Sequence, residues 1–124
     1  MADILLIDDM AGVRRTVMAM LKRVGHTVTA VDNADDGLAL LKTTRFALVI
    51  TDMLMPGTDG ADVLGHLGTM PDRPRVLAMS GGGAGLSAES ALSLARIKAD
   101  AFLEKPFESA ELQAVVEKLI GKPS

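Results

Sequence analysis

Ile4-Leu5-Leu6-Ile7-Asp8-Asp9 runs four aliphatic residues straight into two carboxylates. A short apolar run without alternation suits a strand buried on both faces, as in a parallel sheet. The next segment changes period. Val13, Val17, Leu21 and Val24 fall at i, i+4, i+8 and i+11, a single helical stripe, with Arg14, Arg15, Lys22 and Arg23 away from it. The same alternation recurs along the chain, with apolar runs at 28–31, 47–50, 76–79 and 101–103. Of the five runs, the first, third and fourth are continuous, which suits strands buried on both faces of a parallel sheet.

The segments between and after the runs read as helices. Asn33 is placed to cap a second helix carrying Leu38 and Leu41, and Asp59 a third carrying Val63, Leu64 and Leu67. A fourth opens near Ser87 and carries Leu92, Leu94 and Ile97; a fifth opens at Glu108 or Ser109 and carries Leu112, Val115, Val116 and Leu119. Strand–helix repeated five times predicts an α/β fold, an open doubly wound parallel sheet with helices on both faces. The 124 residues carry 13 Lys plus Arg against 16 Asp plus Glu, a net charge of −3, and 48% hydrophobic residues, enough for one domain with its own core. No cysteine is present, which excludes disulfides, thiolate metal sites and thiol nucleophiles. The longest stretch without charge, residues 76–88, holds four glycines and falls short of the about 18 apolar residues that span a bilayer. The start lacks a basic leader, so a cytoplasmic protein with no membrane contact is expected. An acidic balance with three Phe as the only aromatics argues against direct nucleic-acid binding.

In such sheets ligands bind outside the carboxyl ends of the strands. Asp8 and Asp9 stand at the first exit, Asp52 at the third, Ser80 at the fourth and Lys105 at the fifth; Asp32-Asn33, at the second, is left over, and an edge strand would place it away from the centre. Each alone reads as turn, cap or surface residue. Together, three neighbouring carboxylates repel one another unless something compensates. Mg2+ and one Lys would balance them, and Mg2+ accepts a few carboxylate oxygens while leaving room for a phosphate oxygen. A carboxylate such as Asp52 is a competent nucleophile toward a phosphoryl group. The transfer then requires positioning and charge neutralisation rather than a strong base.

As a set with these spacings, Asp8-Asp9, Asp52 followed by Met55-Pro56 and Gly60, Ser80, and Lys105-Pro106-Phe107 resemble the receiver domain of bacterial two-component response regulators over the whole chain. The resemblance implies a flavodoxin-like five-stranded parallel sheet of order 2-1-3-4-5 with five helices. It implies one receiver domain over residues 1–124, with no output domain on this chain. Asp52 would be phosphorylated by a histidine kinase or histidine phosphotransferase. Asp9, Asp52 and the backbone carbonyl of Leu54 would hold Mg2+, with Asp8 acting through water. Ser80 and Lys105 would hold the phosphoryl oxygens, Phe102 would take the switch position, and Pro56, Gly60 and Pro106 are structural. A downstream protein would dock on the face of the fourth helix, fifth strand and fifth helix. Two features depart from the family pattern: Phe102 stands where many relatives carry Tyr, and residues 81–85 are glycine-rich, read as a surface loop. The rivals from other classes are a phosphotransferase or phosphatase acting on external small molecules, and a degenerate receiver used as a constitutive binding module. The first lacks an evident acid near Asp52, and the second usually loses residues that are all present here. His26 and His66 fall in a turn and on the third helix, away from the strand exits.

Overall fold

The computed structural model describes residues 2–52, 65–67, 69–70, 73–81, 99–105 and 107–121. Along the chain come β1 (Asp3–Ile7), α1 (Ala11–Arg23), β2 (Thr27–Val31), α2 (Ala34–Thr43), β3 (Leu48–Asp52), β4 (Arg75–Gly81), β5 (Ala101–Lys105) and a C-terminal helix (Ser109–Ile120). All four strand pairings are parallel, and the sheet order is β2-β1-β3-β4-β5. The three continuous apolar runs are the three central strands. Residues 65–67 are helical where the third helix is expected; its cap Asp59, with Val63 and Leu64, and the whole fourth helix lie outside the described residues.

The pleat splits β1 between two cores, because successive side chains point to opposite faces. Leu5 and Ile7 pack with Ala34 and Leu41 of α2 and with Phe46, Val49, Val76 and Ala78. Ile4 and Leu6 pack with Val17 and Leu21 of α1 and with Leu112 and Val116 of the C-terminal helix. Burying each such side chain contributes about 1.5–3 kcal/mol, against about 0–1 kcal/mol for a surface ion pair. Burial therefore positions the layers. It cannot by itself fix the register of a strand that is apolar on both faces. The charged ends do that: Asp3 opens the strand and Asp8 follows it, so a one-residue slip would carry Asp8 into the ladder or move Asp3 inward from its exposed end.

Helix ends follow the expected chemistry. The Asn33 side-chain oxygen accepts the Asp36 N–H at 2.7 Å, and Glu108 and Glu111 form a reciprocal capping box at the C-terminal helix. The strands, however, run past their apolar runs. β3 ends on Asp52, paired with Met79, and β4 and β5 end on Gly81 and Lys105, paired with each other. Ladder hydrogen bonds join backbone groups and do not stop at the first polar side chain. Asp52, Ser80 and Lys105 are thus held by the sheet rather than by loops.

Gly37 lets α2 sit close on β1. A Cβ there would meet Cδ1 of the fully buried Ile7 and lie 2.9 Å from its Cγ1. Alanine would gain about 1 kcal/mol of helix propensity and lose about 1–3 kcal/mol to overpacking. Gly37→Ala is therefore expected to lower stability by about 1 kcal/mol in urea denaturation; a rise in stability would contradict this packing account.

Candidate functional site

The carboxyl end of the sheet gathers Asp8, just beyond β1, with Asp52 on β3 and Lys105 on β5. Asp8 is fully buried and Asp52 nearly so, whereas Asp9 is exposed. The Lys105 ammonium donates to Asp8 Oδ2 at 2.8 Å and to Asp52 Oδ2 at 3.1 Å. One carboxylate oxygen from each of Asp8, Asp9 and Asp52 lies within 4.8 Å of the others. Three hard oxygens at this spacing fit one small dication that keeps several waters, so the cluster could hold a metal ion.

Every polar atom of Asp8 is used. Its N–H donates to the Val31 carbonyl at 3.2 Å, Oδ1 accepts the Met10 N–H at 3.0 Å, and Oδ2 takes Lys105. The carbonyl accepts Arg14 Nη1 at 2.8 Å. These bonds fasten the β1–α1 turn to the edge strand, to α1 and to β5. Asp8 thereby satisfies the backbone N–H of Met10, the N-cap residue of α1, whose own side chain makes no capping bond.

Burial on its own would lower the Lys105 pKa, but the hydrogen bond to Asp8 and the negative charges of Asp52 and Asp8 outweigh it, so the value is raised. A raised pKa contributes stability that is complete below the ordinary lysine value of about 10.4 and is lost as pH rises through the higher folded value. At neutral pH the bridge is at full strength.

The structure brings together four of the residues expected at the site: Asp8, Asp9, Asp52 and Lys105. The Ser80 backbone sits on β4 opposite Glu104, one strand from Asp52; its hydroxyl is outside the described set. Phe102 pairs with Ala78 and is half-buried against the core on the α2 face. Leu54, Pro56, Gly60 and Pro106 lie outside the described residues, as do positions 82–85 of the glycine run. The second exit belongs to the edge strand, and Asp32 there is exposed.

His26 precedes β2, at the end of the sheet away from the site. It follows the turn at Val24–Gly25 and is buried, and both ring nitrogens lack a partner among the described residues. Burial, and then the N-terminal charge, lower its pKa. Helical periodicity assigns Arg14 to solvent, yet it is half-buried and bonded to the acidic turn. A signal was present: Arg14 lies near the N-terminus of α1, which has no acidic residue in its first turn and where the helix dipole disfavours a cation.

Comparison with known proteins adds a second line of support. The response regulator receiver domain family matches residues 4–117. The chain is 36% identical to the response regulator protein FleR of Pseudomonas aeruginosa, over 94% of this chain and 24% of that protein. It is 35% identical to the transcriptional regulatory protein FixJ of Bradyrhizobium diazoefficiens, over 94% of this chain and 56% of that one. The chain thus spans less than two thirds of the length of either relative. Among solved structures it is similar to the receiver domain of a signal transduction histidine kinase from Syntrophus aciditrophicus, with a TM-score of 0.86 and 26% identity, covering 97% of this chain and 90% of that one. No helix among the described residues is long and apolar enough to cross a membrane.

Removing the ammonium would strand two buried carboxylates. Breaking such a pair costs about 3–5 kcal/mol. Lys105→Met is expected to lose about 3 kcal/mol at pH 7 without divalent metal, and added Mg2+ is expected to stabilise this variant more than the parent. Denaturant titrations with and without Mg2+ check both statements; a variant as stable as the parent would contradict the bridge.

Proposed function

The chain belongs to the response regulator receiver family, a family of phosphoaspartate signalling switches, and from that premise we propose that Asp52 accepts the phosphoryl group. The observation that carries this reading is the Lys105 bridge between Asp8 and Asp52, with the Asp9 carboxylate beside it. Asp52 ends a central strand, so the backbone holds its carboxylate in place while one face of the site stays open at Asp9. Asp8, Asp9 and Asp52 would hold Mg2+, with the Leu54 carbonyl as a further ligand implied by the family. Bound Mg2+ supplies positive charge next to the transferring phosphoryl oxygens.

The donor is a phosphohistidine on a kinase or phosphotransferase. An Asp52 carboxylate oxygen attacks phosphorus, an O–P bond forms and the donor's P–N bond breaks. The departing nitrogen keeps the electron pair and takes a proton from solvent. The product is an acyl phosphate on Asp52. Lys105, a point charge on a flexible stem, follows the new charge from the Asp52 carboxylate to a phosphoryl oxygen. The Ser80 hydroxyl donates to a second oxygen and draws β4 inward. Phe102 then repacks, which changes the surface carried by β5 and the C-terminal helix, where a downstream protein docks. Phe has no hydroxyl to anchor either pose, so packing alone sets the balance between them. A full swing from about 1% to 99% active needs about 5.5 kcal/mol, within reach of a few charge-assisted hydrogen bonds of about 1.5–3 kcal/mol each.

Incubation with acetyl phosphate and Mg2+, followed by intact-protein mass measurement, is expected to add one phosphoryl group to the parent and none to Asp52→Asn. Lys105→Ala is expected to retain incorporation but lose the amide NMR shifts that reach Phe102. Full phosphate on Asp52→Asn would overturn the assignment.

A further inference from the structure

Asp9 differs from its neighbours in how it is held. Asp8 and Asp52 are gripped through their carboxylates by Lys105, whereas no hydrogen bond or ion pair holds the exposed Asp9 carboxylate among the described residues. Its position is therefore set by its backbone, and that backbone is set by the Asp8–Asp9 peptide. The carbonyl of this peptide accepts the Arg14 Nη1 hydrogen bond, at 2.8 Å. Rotation of the peptide would swing Asp9 relative to Asp52, and Arg14 opposes that rotation. The cation is also kept where the helix dipole disfavours it, on an α1 that has no acidic residue in its first turn to compensate.

We infer that Arg14 is a positioning residue: through the Asp8 carbonyl it orients the peptide that carries Asp9 and so sets the metal affinity of the acidic cluster. This inference rests on the reading of Asp8, Asp9 and Asp52 as the Mg2+ site. Charge and position pull in opposite directions, which makes the idea testable. A nearby guanidinium repels a dication, so deleting it should tighten binding if charge alone mattered. At 0.15 M salt, with a screening length of about 8 Å, the repulsion from the half-exposed charge is weakened only in part, whereas the hydrogen bond acts locally and is not screened.

The test is a calorimetric Mg2+ titration of the parent, Arg14→Met and Arg14→Lys at 0.15 M salt, with thermal melts to verify folding. Arg14→Met keeps much of the apolar stem and loses the donor; its affinity is expected to fall about tenfold, the lower end of what losing an outer partner of a metal ligand costs. Arg14→Lys retains one donor for a single carbonyl and is expected to stay within about twofold of the parent. In the metal-free proteins, the Asp8 carbonyl 13C resonance is expected to move in Arg14→Met and to return toward the parent position in Arg14→Lys. Equal or tighter binding by Arg14→Met, or Arg14→Lys as weak as Arg14→Met, overturns the positioning role. A parent that binds no Mg2+ would instead overturn the metal site itself, a different result from a parent that binds and a variant that binds equally well.

Discussion

Three carboxylates share a space less than 5 Å across at one end of this sheet, and a single ammonium lies between two of them. Like charges at that distance destabilise a fold unless they are neutralised, and here the neutralising group comes from β5, at the far end of the sequence. The Lys105 bridge therefore joins β1, β3 and β5, and it does so where the strands end. Lys105 brings one positive charge to a cluster of three carboxylates, and a small dication is a chemically suitable further partner for such oxygens. That suitability underlies the reading as a metal-assisted phosphoryl acceptor.

The same constraint explains the division of labour within the cluster. Asp8 has every polar atom bonded and acts as the fixed point of the turn. Asp52 is fixed by the sheet ladder, and Asp9 alone of the three faces solvent. Under the proposed function, an incoming dication or phosphoryl group would meet two carboxylates held by Lys105 and a third, Asp9, held among the described residues only through its backbone. Phosphorylation would change what Lys105 pairs with, and the strand that carries Lys105 also carries Phe102. On the proposed reading, a local change of charge would in this way reach Phe102, which packs against the core.

Much of this was legible in the sequence, for physical reasons that can be named. Runs without alternation mark central strands because both faces are buried, and Ile4 to Ile7 does divide between two cores. The convergence of Asp8, Asp52 and Lys105 could be read because parallel strands expose their ends together. Apolarity marks the strand limits too short, since it ends at Ile50 and Met79 while backbone pairing continues through Asp52 and Gly81. Helical periodicity alone misses Arg14, because it sorts side chains by face, whereas a long guanidinium can turn back over the helix start to a carbonyl six residues earlier. His26 follows the turn at Gly25, away from the strand exits, as read; what its sequence does not reveal is that the ring is buried.

The central claim is that the acidic end of the sheet is where a hard dication binds, with Asp8, Asp9 and Asp52 around it. Mn2+ prefers the same oxygen ligands as Mg2+, and its unpaired electrons broaden nearby NMR signals, so a substoichiometric Mn2+ titration of the labelled protein maps the site directly. The amides of Asp8, Asp9, Met10 and Asp52 are predicted to broaden first and to be restored by excess Mg2+, while His26 and the turn after α2 stay sharp. Broadening centred at that opposite end of the sheet, or spread evenly over the exposed carboxylates, would contradict the claim.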